Sequence, residues 1–199
     1  GGGVDQAGNL DPSTYGGSDI SDPNVVKSTI NSALQALTAN GAKGVIANIP
    51  SVSAVPYFTT VPYAPLSPAN PSFGPMIPAL NSTFAGLNRV FDALGAPERK
   101  ITFSTTAASA VVIKDKDLTD LSAQITAALT PSLGVAKATL FGMTYGQARQ
   151  ATAKDLMVLT SSSYIGKPDA ARVQALMQMG LSQAEAGQLA VAGVTYPLE

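Results

Sequence analysis

Serine supplies most of the reactive chemistry in this sequence, so the first question is what could activate it. A serine hydroxyl becomes a nucleophile only beside a base, and the chain contains no histidine. Ser18 stands in the run Gly17-Ser18-Asp19-Ile20, inside a glycine-rich stretch that reads as a loop rather than the strand end where a nucleophile faces its base. Ser161, Ser162 and Ser163 follow a predicted strand, a favourable place, but no Gly-x-Ser-x-Gly elbow surrounds them. Lys154 or Lys167 could replace histidine as the base for one of these serines, although a polar strand end accounts for them better. Asp115, Asp117 and Asp120 have the look of a calcium loop, yet the glycine at its sixth position and the closing glutamate are missing, and helix capping explains them more simply. Gly166-Lys167 follows no glycine-rich phosphate cradle, so nucleotide binding is not expected there. With no cysteine, thiolate catalysis, disulfides and cysteine-ligated zinc or iron-sulfur centres are excluded. No metal or cofactor is expected.

Composition narrows the partners. Charged residues are 13% of the chain, about half the usual share, and the net charge is −1. A phosphate backbone demands clustered Lys and Arg, so nucleic acid is not an expected partner. No apolar run reaches the roughly 20 residues a membrane-spanning helix needs. Hydrophobic residues at 45% of 199 positions are enough for a real core.

The elements that must position any site can be read from turn signals and periodicity. Residues 1 to 22 are rich in Gly, Asp, Ser and Asn and predict a loop. Asp22 followed by Pro23 is a helix start, and Val26, Ile30, Leu34 and Leu37 recur at helical spacing until Asn40-Gly41, which predicts a helix over about 23 to 40. Val45, Ile46, Ala47 and Ile49, stopped by Pro50, predict a buried strand. Helix then strand is half of a parallel βαβ unit, which requires partner strands. A helix over 78 to 94 is predicted from Leu80, Phe84, Leu87, Val90, Phe91 and Leu94. Lys100 to Ser104 and Ala110 to Lys114 predict a hairpin or two edge strands. Asp117 and Asp120 predict the start of a helix through Leu129 that Pro131 breaks, 143 to 151 a short helix, and 156 to 160 a strand. Two helices close the chain, at about 168 to 179 and 183 to 192, the second opened by a capping box of Ser182 and Glu185.

Between Pro50 and Pro78 proline is too frequent for regular structure, and Tyr57, Phe58, Tyr63 and Phe73 lie among the prolines. A disordered linker would lack such aromatics. This stretch therefore predicts an ordered loop, whose four aromatic residues either line a substrate cleft or seal a core.

The run Ala36-Leu37-Thr38-Ala39-Asn40-Gly41-Ala42-Lys43-Gly44-Val45-Ile46-Ala47-Asn48-Ile49-Pro50, followed by Pro56-Tyr57-Phe58-Thr59-Thr60-Val61-Pro62-Tyr63, resembles SGNH/GDSL-type hydrolases of Bacteroidetes, secreted or lipid-anchored lipases and esterases. Residues 113 to 121 and 149 to 156 fit the same pattern. In that family a flavodoxin-like sheet carries four blocks, which contribute a serine nucleophile, a glycine and an asparagine for the oxyanion hole, and a late Asp-x-x-His. None of the four can be matched here, and Gly17-Ser18-Asp19-Ile20 has the wrong order for the Gly-Asp-Ser-Leu signature. The resemblance implies that the chain starts just after the asparagine block and that the Asp-x-x-His lies beyond Glu199.

The fold class expected is α/β, a fragment of a flavodoxin-like sheet (helix plus parallel strand) carrying a large mixed α+β insertion. Residues 1 to 54 would belong to the core, 55 to 195 to the insertion, and 196 to 199 to a return segment or a cloning remnant. The function implied is that of a segment of a GDSL-like lipase or esterase, catalytically silent alone, acting on a lipid or acylated-sugar ester in the parent protein and located in the cell envelope or outside the cell. The alternative is a non-catalytic module that binds a glycan or protein at the cell surface.

Overall fold

A computed structural model describes residues 3–48 and 51–199. The chain forms two compact units, Gly1–Ile49 and Pro50–Glu199.

In the N-terminal unit, α1 (Pro23–Thr38) begins where the sequence places it. The Asp22 carboxylate accepts from the Asn24 N–H at 2.7 Å and from the Gly8 N–H at 2.8 Å, satisfying the helix start and tying it to the preceding loop. Those backbone N–H groups, Gly8 first, hold the Asp22 carboxyl below the usual carboxylate range. The loop closes on itself through a bridge between Asp5 and Ile20. No residue of α1 is buried, and Val26, Ile30 and Leu37 of its apolar stripe lie open to solvent. The strand expected at 44 to 49 does not form over residues 42–48, which carry no regular secondary structure. Val45 is 101% exposed and Ile46 65%. A strand exists only through a ladder partner, and among the described residues no other segment bonds to these. Ile49 and Pro50 lie outside the described residues.

The C-terminal unit is mixed α and β around one main core. It opens with α2 (Pro56–Thr59), a single turn, and its spine is α3 (Ile77–Ala93). Leu80, Phe84, Leu87, Val90 and Phe91 recur at helical spacing and are buried, as the periodicity predicts; Ile77 joins them from the first turn, while Leu94, expected on the same face, is 40% exposed at the helix end. Gly95, at φ +71°, ends the helix in a conformation glycine adopts without cost. An α-helical hairpin packs beside it: α4 (Ser122–Leu133) turns through Gly134 into α5 (Val135–Tyr145). The two helices touch closely, since a Cβ at Gly142 would lie 2.2 Å from Thr126 Oγ1. Pro131 does not break α4. It sits in the last turn, where the missing N–H leaves only the carbonyl of exposed Ala127 without an intrahelical partner.

Two short strands, β1 (Val112–Lys114) and β2 (Ala148–Gln150), pair antiparallel, with Ile113 opposite Arg149. The partner of β1 is thus β2, not residues 100 to 104 as expected, and part of the helix predicted over 143 to 151 is strand. Residues 100 to 104 are extended against α3 for a different reason. The side-chain amides of Asn88 and Asn81 each exchange two hydrogen bonds with a backbone residue, Ile101 and Phe103 respectively, and so take the place of a neighbouring strand. The other edge of β1 is taken by the C-terminal segment: Lys114 N–H donates to Leu198 O at 2.8 Å and Leu198 N–H to Val112 O at 3.0 Å. The last residues of the chain thus hydrogen-bond to β1 within this unit.

Residues 156 to 160 form no strand; Leu159–Ser163 is a 3₁₀ turn. The closing helices are α6 (Ala170–Gln178) and α7 (Gln183–Leu189), and the Ser182–Glu185 capping box is present with both reciprocal bonds. A second, smaller core joins Leu140, Leu176, Ala186 and Ala190 beneath them. Among the described residues no helix is long and apolar enough to cross a membrane.

Candidate functional site

The serines singled out by the sequence are engaged in local structure. Ser161, Ser162 and Ser163 donate their hydroxyl protons to the carbonyls of Val158, Leu159 and Thr160 at 2.6, 2.8 and 2.8 Å, the bonds of a tight turn rather than of an activated nucleophile. Neither Lys154 nor Lys167 pairs with them. In the N-terminal loop, Asp19 accepts from the N–H groups of Val4 and Gly16 and from Gln6 Nε2, so Gly17-Ser18-Asp19-Ile20 is a loop anchor.

The three aspartates also separate. Asp115 Oδ2 accepts from Arg149 Nε at 2.7 Å, and Asp120 accepts from the Ser122 N–H and hydroxyl at the start of α4. Arg149 reaches Asp155 as well, through two 2.8 Å bonds. This buttress faces a shallow surface and fixes β2 to the loop that follows it. Among the described residues no cluster of three or more His, Cys, Asp or Glu could hold a metal ion.

What the fold does build is a half-open groove of about 590 Å³ in the C-terminal unit. One wall is the proline-rich loop, from Pro65 to Met76. Three devices hold it: a two-way bridge between Leu66 and Ser109 (3.2 and 2.9 Å), a turn in which Asn70 Oδ1 accepts from the N–H groups of Ser72 and Phe73, and the passage of Gly74 so close over Pro68 O that a Cβ would lie 2.1 Å away. Phe73 is the aromatic anchor of this wall. Its ring meets Phe103 edge-on at 5.6 Å, and Phe103 in turn meets Phe84 at 6.1 Å, which joins the groove floor to the core.

The opposite wall is Ile165 to Pro168 with α7, Val191 and Val194. The Gly166 N–H donates to Ala192 O, the Ala192 N–H to Lys167 O and the Asp169 N–H to Ala190 O, at 2.8 to 2.9 Å, so segment 166–169 is stitched to 190–192. Beneath it the phenol of Tyr145 is 2% exposed and donates to Thr195 O at 2.7 Å. Burial raises its pKa well above that of a free tyrosine, and the hydroxyl stays a donor.

Of the four aromatic residues expected to line a cleft, the structure places Phe73 in the groove and not the other three. Tyr57 and Phe58 pack edge-on against each other at 5.1 Å on α2, and Tyr63 is 38% exposed, with its carbonyl accepting from Val111 N–H. Sequence reasoning missed Leu66, Met76, Ile165, Val191 and Val194. These come from segments about a hundred residues apart, and each reads as ordinary core. The one local hint was glycine: Gly166 at φ +78° and Gly193 at φ +72° mark the sharp bends that shape the far wall.

No family model, curated protein or solved structure matches this chain. The groove therefore has to be judged on its own chemistry. Its lining is mainly aliphatic, with amide and hydroxyl groups of Asn70, Ser72, Gln183 and Gln188 and a single formal charge, on Lys167. Among the described residues that line it there is neither a carboxylate nor an imidazole to act as a base. Such a surface can bind and orient a ligand.

Proposed function

We propose that this chain is a segment of an SGNH/GDSL-type ester hydrolase of the Bacteroidetes cell envelope, without catalytic activity of its own, in which the C-terminal unit shapes the substrate side of the cleft. In this reading α1 and residues 44 to 49 are the helix and strand of a flavodoxin-like sheet whose other strands lie elsewhere in the protein. The observation that carries it is the pairing of two unsatisfied apolar features in the N-terminal unit. Val26, Ile30 and Leu37 of α1 are exposed, and so are Val45 and Ile46 immediately afterwards. A helix stripe and a strand-forming run left open together are what a parallel sheet covers. The sequence resemblance supplies the family, and the groove beside Phe73 supplies a surface for an acyl or acylated-sugar group.

The test is hydrolysis of nitrophenyl butyrate by the 199-residue chain and by the longer protein that contains it. Turnover only in the longer protein is the expected result. Robust turnover by the isolated chain overturns the assignment of silence, and a longer protein that binds glycans or a partner protein without cleaving any ester favours a binding module instead.

A further inference from the structure

We infer that the groove of the C-terminal unit binds a single medium-chain alkyl carboxylate, with its tail along the aliphatic walls and its head at Lys167. Three observations converge on that ligand. A volume of about 590 Å³ falls in the range of small-molecule sites. The apolar lining comprises Met76 and Ile165, the more exposed, backed by Leu66, Phe73, Val191 and Val194 of the core, side chains that offer contact but no hydrogen bonds, and so suits a hydrocarbon rather than a sugar.

The head surface is set by charge. Lys167 is the only formally charged residue of the lining, and its ammonium group forms no ion pair among the described residues. Its backbone is held at both ends, by the N–H donating to Tyr164 O at 3.0 Å and the carbonyl accepting from Ala192 N–H at 2.9 Å, so a flexible side chain rises from a fixed base. One cation in an otherwise uncharged, largely apolar lining that also holds the side-chain amides of Asn70, Gln183 and Gln188 complements one anionic group on an alkyl tail. A phosphate monoester or a polyanion would call for more positive charge than the groove holds.

The inference shares its location with the ester-hydrolase reading but needs no ester cleavage, because it concerns binding alone. Should the longer protein lack esterase activity while the chain binds the carboxylate, only the hydrolase reading falls. An active longer protein whose groove binds no carboxylate removes only this one.

The experiment is calorimetric titration of the 199-residue chain with decanoate, octanoate and decan-1-ol below their aggregation limits, with amide NMR to locate the site. Decanoate saturates one site and shifts the amides of Gly166 and Gly187. Octanoate, shorter by two methylenes, binds about tenfold more weakly. Decan-1-ol binds about fivefold more weakly than decanoate, and Lys167→Gln brings decanoate to the same level. Gly187 lines the groove and has nothing outside its own helix within 4 Å of where its Cβ would stand, so Gly187→Trp fills the groove, and binding is lost. If that variant does not fold, Ala184→Trp, at an exposed lining position on the same helix, serves the same purpose. No saturable decanoate binding, shifts confined to other surfaces, or equal affinity in the wild type and a folded groove-filled variant overturns the inference.

Discussion

Asn88 and Ile101 close a two-bond ring: the Ile101 N–H donates to Asn88 Oδ1 at 2.9 Å, and Asn88 Nδ2 donates to the Ile101 carbonyl at 2.8 Å. Ile101 is fully buried, so its backbone groups have no recourse to water if the amide is removed. Asn88→Ala is expected to cost about 1–3 kcal/mol, the desolvation penalty of buried polar groups left unpaired. Urea unfolding with unchanged m-value measures it, and a loss below a few tenths of a kcal/mol would show that residues 100 to 104 hold their course without the amide.

Asp155 gives the unit its clearest pH dependence. The hydrogen bonds from Arg149 hold its carboxyl far below the usual carboxylate range, with the Thr152 N–H and hydroxyl assisting and partial burial opposing. A folded-state pKa lowered in this way contributes stability that is fully present above the unfolded value of about 4 and is lost as pH falls toward the folded value. Asp155→Asn is expected to destabilise by about 1–3 kcal/mol at neutral pH, with the gap to the wild type closing below about pH 4. Thermal unfolding across pH 2 to 7 checks the sign; a gap that widens in acid contradicts it.

Two helical glycines should respond in opposite directions to the same substitution. At Gly142 a Cβ would stand 2.2 Å from Thr126 Oγ1 and 2.4 Å from Ser122 O, so Gly142→Ala forces α4 and α5 apart and costs about 1–3 kcal/mol despite the better helix propensity of alanine. At Gly187 there is open space, and Gly187→Ala should stabilise by about 0.5–1 kcal/mol. Differential scanning calorimetry of the two variants reads the contrast, and equal shifts of the same sign would refute the close helix crossing.

The N-terminal unit has no buried apolar side chain among its described residues, whereas α3 buries six. Local opening free energy follows buried apolar contact. Amide hydrogen exchange in α1 should therefore approach the rate of an unprotected helix, while Phe84, Leu87 and Phe91 exchange only by unfolding of the C-terminal unit. Protection of Ile30 and Leu34 equal to that of Phe84 would show that the α1 stripe is covered.

Legibility in the sequence followed the range of the interaction. The Asp22-Pro23 start of α1, five of the six buried positions of α3 and the Ser182–Glu185 box depend on residues within a few positions of one another and are legible in the sequence; buried Ile77 and exposed Leu94 are the exceptions on α3. Residues 44 to 48 form no strand here because composition signals a willingness to be a strand, while a ladder needs a partner, and none bonds to them among the described residues. Of the helix expected over 143 to 151, residues 143 to 145 end α5 but 148 to 150 are strand, because β2 is specified by β1 some thirty-five residues away and local propensity carries no information about it.

The candidate site divides the same way. Lack of histidine and cysteine in the sequence already ruled out an imidazole base and a thiolate nucleophile, because a missing functional group is missing in every fold. That Phe73 would line a groove while Tyr57, Phe58 and Tyr63 would not, that Arg99 would be buried with its guanidinium donating to the carbonyls of Thr119, Gly146 and Ala148, and that Lys167 would stand alone over aliphatic walls were decided only by the tertiary structure. Side-chain chemistry is a property of one residue, but burial, charge isolation and cavity shape belong to surfaces assembled from segments that meet only when the chain has folded.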